Sequence, residues 1–147
     1  MNFSRHIFST VITEKHLDFF GHVNNAVYVQ LYEEARWDWI VKHGLGLEYI
    51  KTEKKGPVVL SLQVNFFKEL KNRTSIWVTT EVKEIKKNLI ILLEQKILLT
   101  QKCEEKGYEN LKEEMSSLAK FEIGIMDLEK RRLIPPPENW LLAFGKF

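Results

Sequence analysis

Between residues 24 and 43, apolar side chains recur every three or four positions. Tyr28, Leu31, Tyr32, Ala35 and Trp39 form one continuous stripe, the spacing of a helix face. Val29, Trp37 and Ile40 add a second apolar arc and leave Gln30, Glu34 and Asp38 on the most polar side. Such wide apolar coverage predicts a helix enclosed on several sides, by a sheet or by a second subunit. Gly44 and Gly46 are natural stops.

Elsewhere the pattern is that of strands. Residues 3–13 carry Ile7 and Val11 on one face and Phe8 and Ile12 on the other, so this strand has apolar groups on both sides. Residues 14–22 break the pattern with charges and Gly21. After the long helix, a short helical or irregular piece (47–52) and the Lys-Lys-Gly-Pro punctuation at 54–57 lead into a strand over 58–67. In 75–85, Ile76, Val78, Thr80 and Val82 alternate with Trp77, Thr79, Glu81 and Lys83. The turn Lys86-Lys87-Asn88 predicts a hairpin with the next strand, 89–100. Residues 101–114 are charge-rich and read as an extended loop, and 116–127 as the last strand. From about residue 129 an extended tail is expected, with Pro135, Pro136 and Pro137 closing the regular structure. One long helix, with one strand before it and four after, predicts an α+β fold in a single domain over residues 1–147, without internal repeats.

Composition narrows the function. A chain of 147 residues that is 44% apolar can bury a core as one domain. With 22 basic and 20 acidic side chains the net charge of +2 lacks the footprint of a nucleic-acid binder. A single cysteine, Cys103, cannot form an internal disulfide and fits a reducing compartment. The N-terminus lacks the basic-then-apolar order of a secretory signal, and no segment approaches about 18 consecutive apolar residues, so a soluble cytoplasmic protein with no membrane partner is expected. There is no G-x-S-x-G, H-E-x-x-H, G-x-x-x-x-G-K-[ST] or paired C-x-x-C, which removes the support for serine-hydrolase, zincin, P-loop and zinc-ribbon chemistry. His16 and His22 flank Asp18, but such a cluster is more often a hydrogen-bonded loop than a metal site, and neither metal nor cofactor is expected.

The remaining chemistry gathers in His16–Arg36, H-L-D-F-F-G-H-V-N-N-A-V-Y-V-Q-L-Y-E-E-A-R. A polar turn holding Asp18, Gly21, His22, Asn24 and Asn25 runs directly into the helix, whose first turn offers backbone N–H groups and the positive end of its dipole. A carboxylate beside such a terminus suits the activation of an attacking group next to a polarised electrophile. A plain turn-capping role for Asp18 and an N-cap role shared by Asn24 and Asn25 are the structural alternatives.

D-F-F-G-H-V-N-N at 18–25, followed by Tyr28 and by E-E-A-R at 33–36, resembles the signature of the hotdog-fold acyl-CoA thioesterases of the 4-hydroxybenzoyl-CoA thioesterase type. The order of elements agrees from about residue 3 to residue 137. The resemblance implies a long helix wrapped by a curved antiparallel sheet, with active sites at the interfaces of a homodimer or homotetramer. One departure is His16, which stands where family members often carry a second Asp; many also have Arg where this chain has lysines.

By that resemblance Asp18 is the catalytic carboxylate, as general base or as nucleophile forming a mixed anhydride. An ordinary aspartate is a feeble base at neutral pH, so shielding by Phe19 and Phe20 would strengthen it. The Asn25 backbone N–H is placed on the thioester oxygen, where one preorganised donor contributes roughly 3 kcal/mol in comparable sites. His22 either orients the attacking water or Asp18, or fixes the loop. Gly21, Val23, Asn24 and Tyr28 border the substrate, with Tyr28 and Glu33 read chiefly as packing or ion-pairing residues. Coenzyme A phosphates need cations, for which Lys68, Lys71 and Arg73, and Lys86 with Lys87 in the hairpin turn, are candidates. The expected activity is acyl-CoA hydrolysis; the alternatives are an acyl-carrier-protein thioesterase and a non-catalytic acyl-binding or assembly protein.

Overall fold

The computed structural model describes residues 3–100 and 115–145, so the loop expected over 101–114, with Cys103, lies outside the described residues. Strand β1 (Arg5–Val11) precedes a single 3-10 turn at Glu14–His16 and helix α1 (Asn25–Lys42). Helix α2 (Leu47–Glu53) leads into β2 (Lys55–Phe66), β3 (Ser75–Lys86), β4 (Ile90–Leu99), β5 (Met115–Asp127) and β6 (Arg132–Ile134), and α3 (Glu138–Ala143) follows. The strands form one antiparallel sheet in the order β1-β3-β4-β5-β2, with β6 on β5. The α+β class and the boundaries of α1 and of the long strands match the periodicity.

The hairpin turn explains its own sequence. Lys87 and Asn88 both adopt positive φ (52° and 53°), and Leu89 N–H donates to the Lys86 carbonyl. A turn with two successive central residues of this hand matches the twist of its strands, and Asn tolerates it better than most residues.

Tyr28, Leu31, Tyr32, Ala35 and Trp39 are all buried, as the stripe requires, against an inner sheet face that includes Val78, Val82, Leu93, Ile97 and Phe121. Polar pins fix the helix to the sheet. Buried Gln95 on β4 donates from Nε2 to the Tyr32 carbonyl (3.0 Å) and to Thr80 Oγ1 (2.9 Å), while its Oε1 accepts from Arg36 (2.9 Å). The Tyr32 hydroxyl donates to Ser117 Oγ on β5 (2.7 Å), and burial raises its pKa. Gln95→Leu would strand these partners inside the protein. It is expected to cost about 1–3 kcal/mol, read as a lower urea midpoint at unchanged m.

The second apolar arc is only partly covered. Ile40 is buried, but Val29 and Trp37 are half-buried, Trp37 beside β2. β2 is an outer strand of the sheet, and Val59, Leu60, Leu62 and Phe66 along it are exposed.

The extended tail is corrected. Asp127 Oδ1 accepts the N–H groups of Glu129 and Lys130, turning the chain so that β6 pairs back onto β5. Pro137 then caps α3, its carbonyl accepting from Trp140 and Leu141, a position where a missing N–H costs nothing. Trp140, Ala143 and Phe144 are buried, and Trp39 Nε1 donates to the Ala143 carbonyl (3.1 Å). The proline run separates two elements instead of ending the structure.

Candidate active site

The turn before α1 is a closed loop. Leu17 and Val23 form a β-bridge, the Asp18 N–H donates to the His22 carbonyl (2.8 Å), and the Gly21 N–H donates to the Asp18 carbonyl (3.0 Å). Gly21 sits at φ +80°, a conformation a side chain would strain. Within the loop, Asp18 Oδ1 accepts two backbone N–H groups, from Phe20 (2.9 Å) and His22 (3.1 Å). Oδ2 accepts none from the described residues. One carboxylate oxygen is therefore anchored while the other stays open to a ligand. The capping role and a chemical role of Asp18 are compatible, because they use different oxygens.

Asn24 is the N-cap of α1: its Oδ1 accepts from Ala26 N–H (2.9 Å), and its carbonyl accepts from Val27 N–H (3.0 Å). The Asn25 N–H, the first of the helix, has no acceptor among the described residues. Asn25 borders a shallow cleft of about 300 Å³ whose other walls include Val23, Tyr28, Phe66, Phe67 and Lys68. Tyr28 is buried and meets the Phe66 ring edge-on at 4.9 Å, the packing role its stripe position indicates. The cleft thus brings together Val23, Asn25 and Tyr28, with Asp18, Gly21 and Asn24 in the adjoining loop and cap.

His22 turns elsewhere. Its Nδ1 pairs with the Glu69 carboxylate, which lies in the β2–β3 connection and also lines the cleft. The contact ties the Asp18 loop to the end of β2. Glu69 went unnoticed in the sequence, since no local spacing connects it to a histidine 47 positions earlier. His16 is buried and accepts the Thr13 N–H through Nδ1 (2.9 Å), so it supports the loop from below. Among the described residues there is no group of three His, Cys, Asp or Glu side chains that could hold a metal ion.

Phe19 and Phe20 do not shield Asp18. They are 99% and 81% exposed at the loop tip, edge-on to each other. Their burial requires something beyond the described residues.

The candidate cations separate. Lys68 lines the cleft and Lys71 lies in the same connection. Arg73 is engaged: Nη2 donates to both Glu14 carboxylate oxygens (2.8 and 2.7 Å), which holds the Glu14 pKa down to about 2. Lys86 and Lys87 are not brought to the cleft. The Asp18 side of the sheet is the Thr74 end of β3, where Ile12 N–H meets the Thr74 carbonyl, and these lysines follow the other end of that 12-residue strand. At about 3.3 Å per residue the two ends lie on the order of 35 Å apart. Glu33 forms no ion pair among the described residues and borders a second cavity, between α1, β2 and α3, together with Arg36.

Among the described residues no helix is long and apolar enough to cross a membrane. The chain matches the Thioesterase-like superfamily over residues 12–144. It is 27% identical over 70 residues to the long-chain acyl-CoA thioesterase FadM of Escherichia coli (strain K12); the match spans 48% of this chain and about half, 52%, of that protein. Slr0204, a 1,4-dihydroxy-2-naphthoyl-CoA thioesterase from Synechocystis, superposes with a TM-score of 0.79 over 98% of both chains at 15% identity. The hypothetical protein SAV2348 from Staphylococcus aureus, solved in complex with CoA, gives 0.80 over 99% of this chain and 84% of its own at 14% identity. At these identities the structural likenesses establish the fold. With its family match running from the end of β1 to α3, this chain belongs to the thioesterase-like superfamily and has the hotdog fold of its thioesterase relatives.

Proposed function

We propose that the chain hydrolyses acyl-CoA thioesters, releasing the free acid and coenzyme A. The observation that carries this reading is the loop-and-cap arrangement: a carboxylate with one oxygen anchored and one that accepts nothing from the described residues, next to a first-turn N–H with no acceptor among them, on a residue that borders a cleft. The Asn25 N–H donates to the thioester oxygen as negative charge develops there, with the α1 dipole behind it. Asp18 Oδ2 either removes a proton from the attacking water, whose addition to the carbonyl expels the coenzyme A thiolate, or attacks the carbonyl itself and expels that thiolate, forming an anhydride that water then opens to the free acid. His22, held by Glu69, positions the loop.

α1 serves as the central helix of the hotdog, and the sheet is completed by a second copy. β2 offers a 12-residue outer strand with exposed apolar side chains, a form natural proteins rarely leave uncovered. A homodimer joined there, alone or paired into a tetramer, would also cover Phe19 and Phe20. Lys68 and Lys71 supply charge for the coenzyme phosphates at the cleft, and Lys86 and Lys87 contribute only from another copy. Sedimentation should give a multiple of 17.4 kDa, and Leu60→Lys with Leu62→Lys should shift it toward the single-chain mass. A stable, active monomer would contradict this interface.

The relatives' acyl-CoA substrates favour free coenzyme A as carrier. A thiol-release screen over aliphatic chain lengths and aromatic acyl groups, run beside acyl-carrier-protein thioesters, tests this directly. Turnover of acyl-CoA supports the reading; turnover confined to carrier-protein substrates would replace the carrier, and binding without turnover would make the protein an acyl-binding module.

A further inference from the structure

Helix α1 carries a guanidinium with which no carboxylate of the described residues forms an ion pair. Half-buried Arg36 donates from Nη1 to Gln95 Oε1 (2.9 Å) and lies 4.4 Å above the Phe121 ring centre. It forms no ion pair, and its other N–H donors have no acceptor among the described residues. Burial lowers its pKa, and the nearby charge of Glu33 acts in the opposite direction. A desolvated cation with idle donors is costly unless something supplies the acceptors.

Arg36 lines a cavity of about 180 Å³ whose other walls include Trp37, Ile40, Val59, Ile123 and Trp140. Apolar walls with one cation and one carboxylate, Glu33, describe a site for an apolar group ending in a polar atom. Its position on the helix relates it to the candidate active site. Three helical turns separate Asn25 from Arg36, which returns to within about 20° of the same direction roughly 16 Å down the axis. Alongside, the helix-facing side chains Val59, Leu62 and Phe66 of β2 are nearly half exposed (47%, 46% and 46%) and leave an apolar path between the two.

We propose that this cavity receives the far end of the acyl group and that Arg36 and Glu33 read a hydroxyl there. The preferred substrates are then acyl-CoA thioesters whose chains, about 12 to 14 carbons long at about 1.2 Å per bond, end in a hydroxyl. The inference rests on the thioesterase reading, with the thioester oxygen on the Asn25 N–H. A hydroxyl accepts from Arg36 and donates toward Glu33, whereas a carboxylate satisfies the first and is repelled by the second. A methyl end leaves the guanidinium desolvated and unpaired, the situation in which a polar site discriminates strongly.

The test compares kcat/KM for ω-hydroxydodecanoyl-CoA, dodecanoyl-CoA and the monothioester of dodecanedioic acid. The hydroxyl-ended substrate should lead dodecanoyl-CoA by at least about tenfold. Arg36→Met should bring that ratio close to one, and Arg36→Lys should recover part of it, which separates recognition from loss of fold. Equal rates on all three substrates, a preference for the carboxylate-ended one, or a ratio that survives Arg36→Met would overturn the inference while leaving the thioesterase reading intact. Hydrolysis of none of them would overturn the inference, and joined by no turnover of any acyl-CoA in the wider screen it would overturn the thioesterase reading as well.

Discussion

Asp18→Asn is expected to reduce thioester hydrolysis at least about a hundredfold while leaving acyl-CoA affinity and thermal stability close to those of the unaltered chain. The asymmetry follows from the loop. The amide oxygen of Asn can still accept the Phe20 and His22 N–H groups that Asp18 Oδ1 accepts, so the turn keeps its internal bonds. The open oxygen is replaced by an NH₂ that neither attacks a carbonyl nor takes a proton from water. Thiol release gives the rate, and calorimetric titration with a non-hydrolysable acyl-CoA analogue gives the affinity. Near-normal turnover would remove Asp18 from the chemistry, and a joint collapse of affinity and stability would reduce it to a turn residue.

The second large effect concerns the C-terminal segment. Trp140→Ala is expected to cost about 3–5 kcal/mol, because a side chain only 1% exposed would leave a cavity among rigid neighbours. Trp140 packs against Tyr49 and Phe144, with ring centres at 6.1 and 6.4 Å, and its Nε1 donates to the Tyr49 hydroxyl (3.3 Å). Phe144 in turn packs on Trp39 of α1 at 5.5 Å. Urea unfolding followed by far-UV circular dichroism should show the loss as a lower midpoint. A midpoint within experimental error of the original would make α3 a peripheral appendage and not a part of the core.

Long, strongly patterned elements were legible in the sequence for a simple reason: their periodicity is imposed by burial. The α1 stripe identified five of the six buried residues of that helix, the sixth being Ile40 of the second arc, and the alternation of 75–85 identified one strand of the hairpin. The C-terminus was misread because three consecutive prolines conceal the short apolar pattern of Trp140, Ala143 and Phe144 behind them. The Asp18 loop was legible because its residues are consecutive and its spacing resembles a known signature. The His22–Glu69 pair and the Gln95–Arg36 contact were not, since they join residues 47 and 59 positions apart, respectively, that only the folded chain brings together. The exposure of Phe19 and Phe20 was equally hidden, because sequence reports that a side chain is apolar and not what covers it.

Thioester hydrolysis by the loop before α1 is the proposed activity from which the other expectations follow. It is tested most directly by a single-turnover reaction, with folded protein in excess over an acyl-CoA that it binds, quenched over time and analysed for acid and free thiol. Conversion of the bound thioester to stoichiometric acid and coenzyme A, far faster than in buffer alone and suppressed by Asp18→Asn, is the predicted result. A bound thioester that persists as long as it does in buffer would contradict the account.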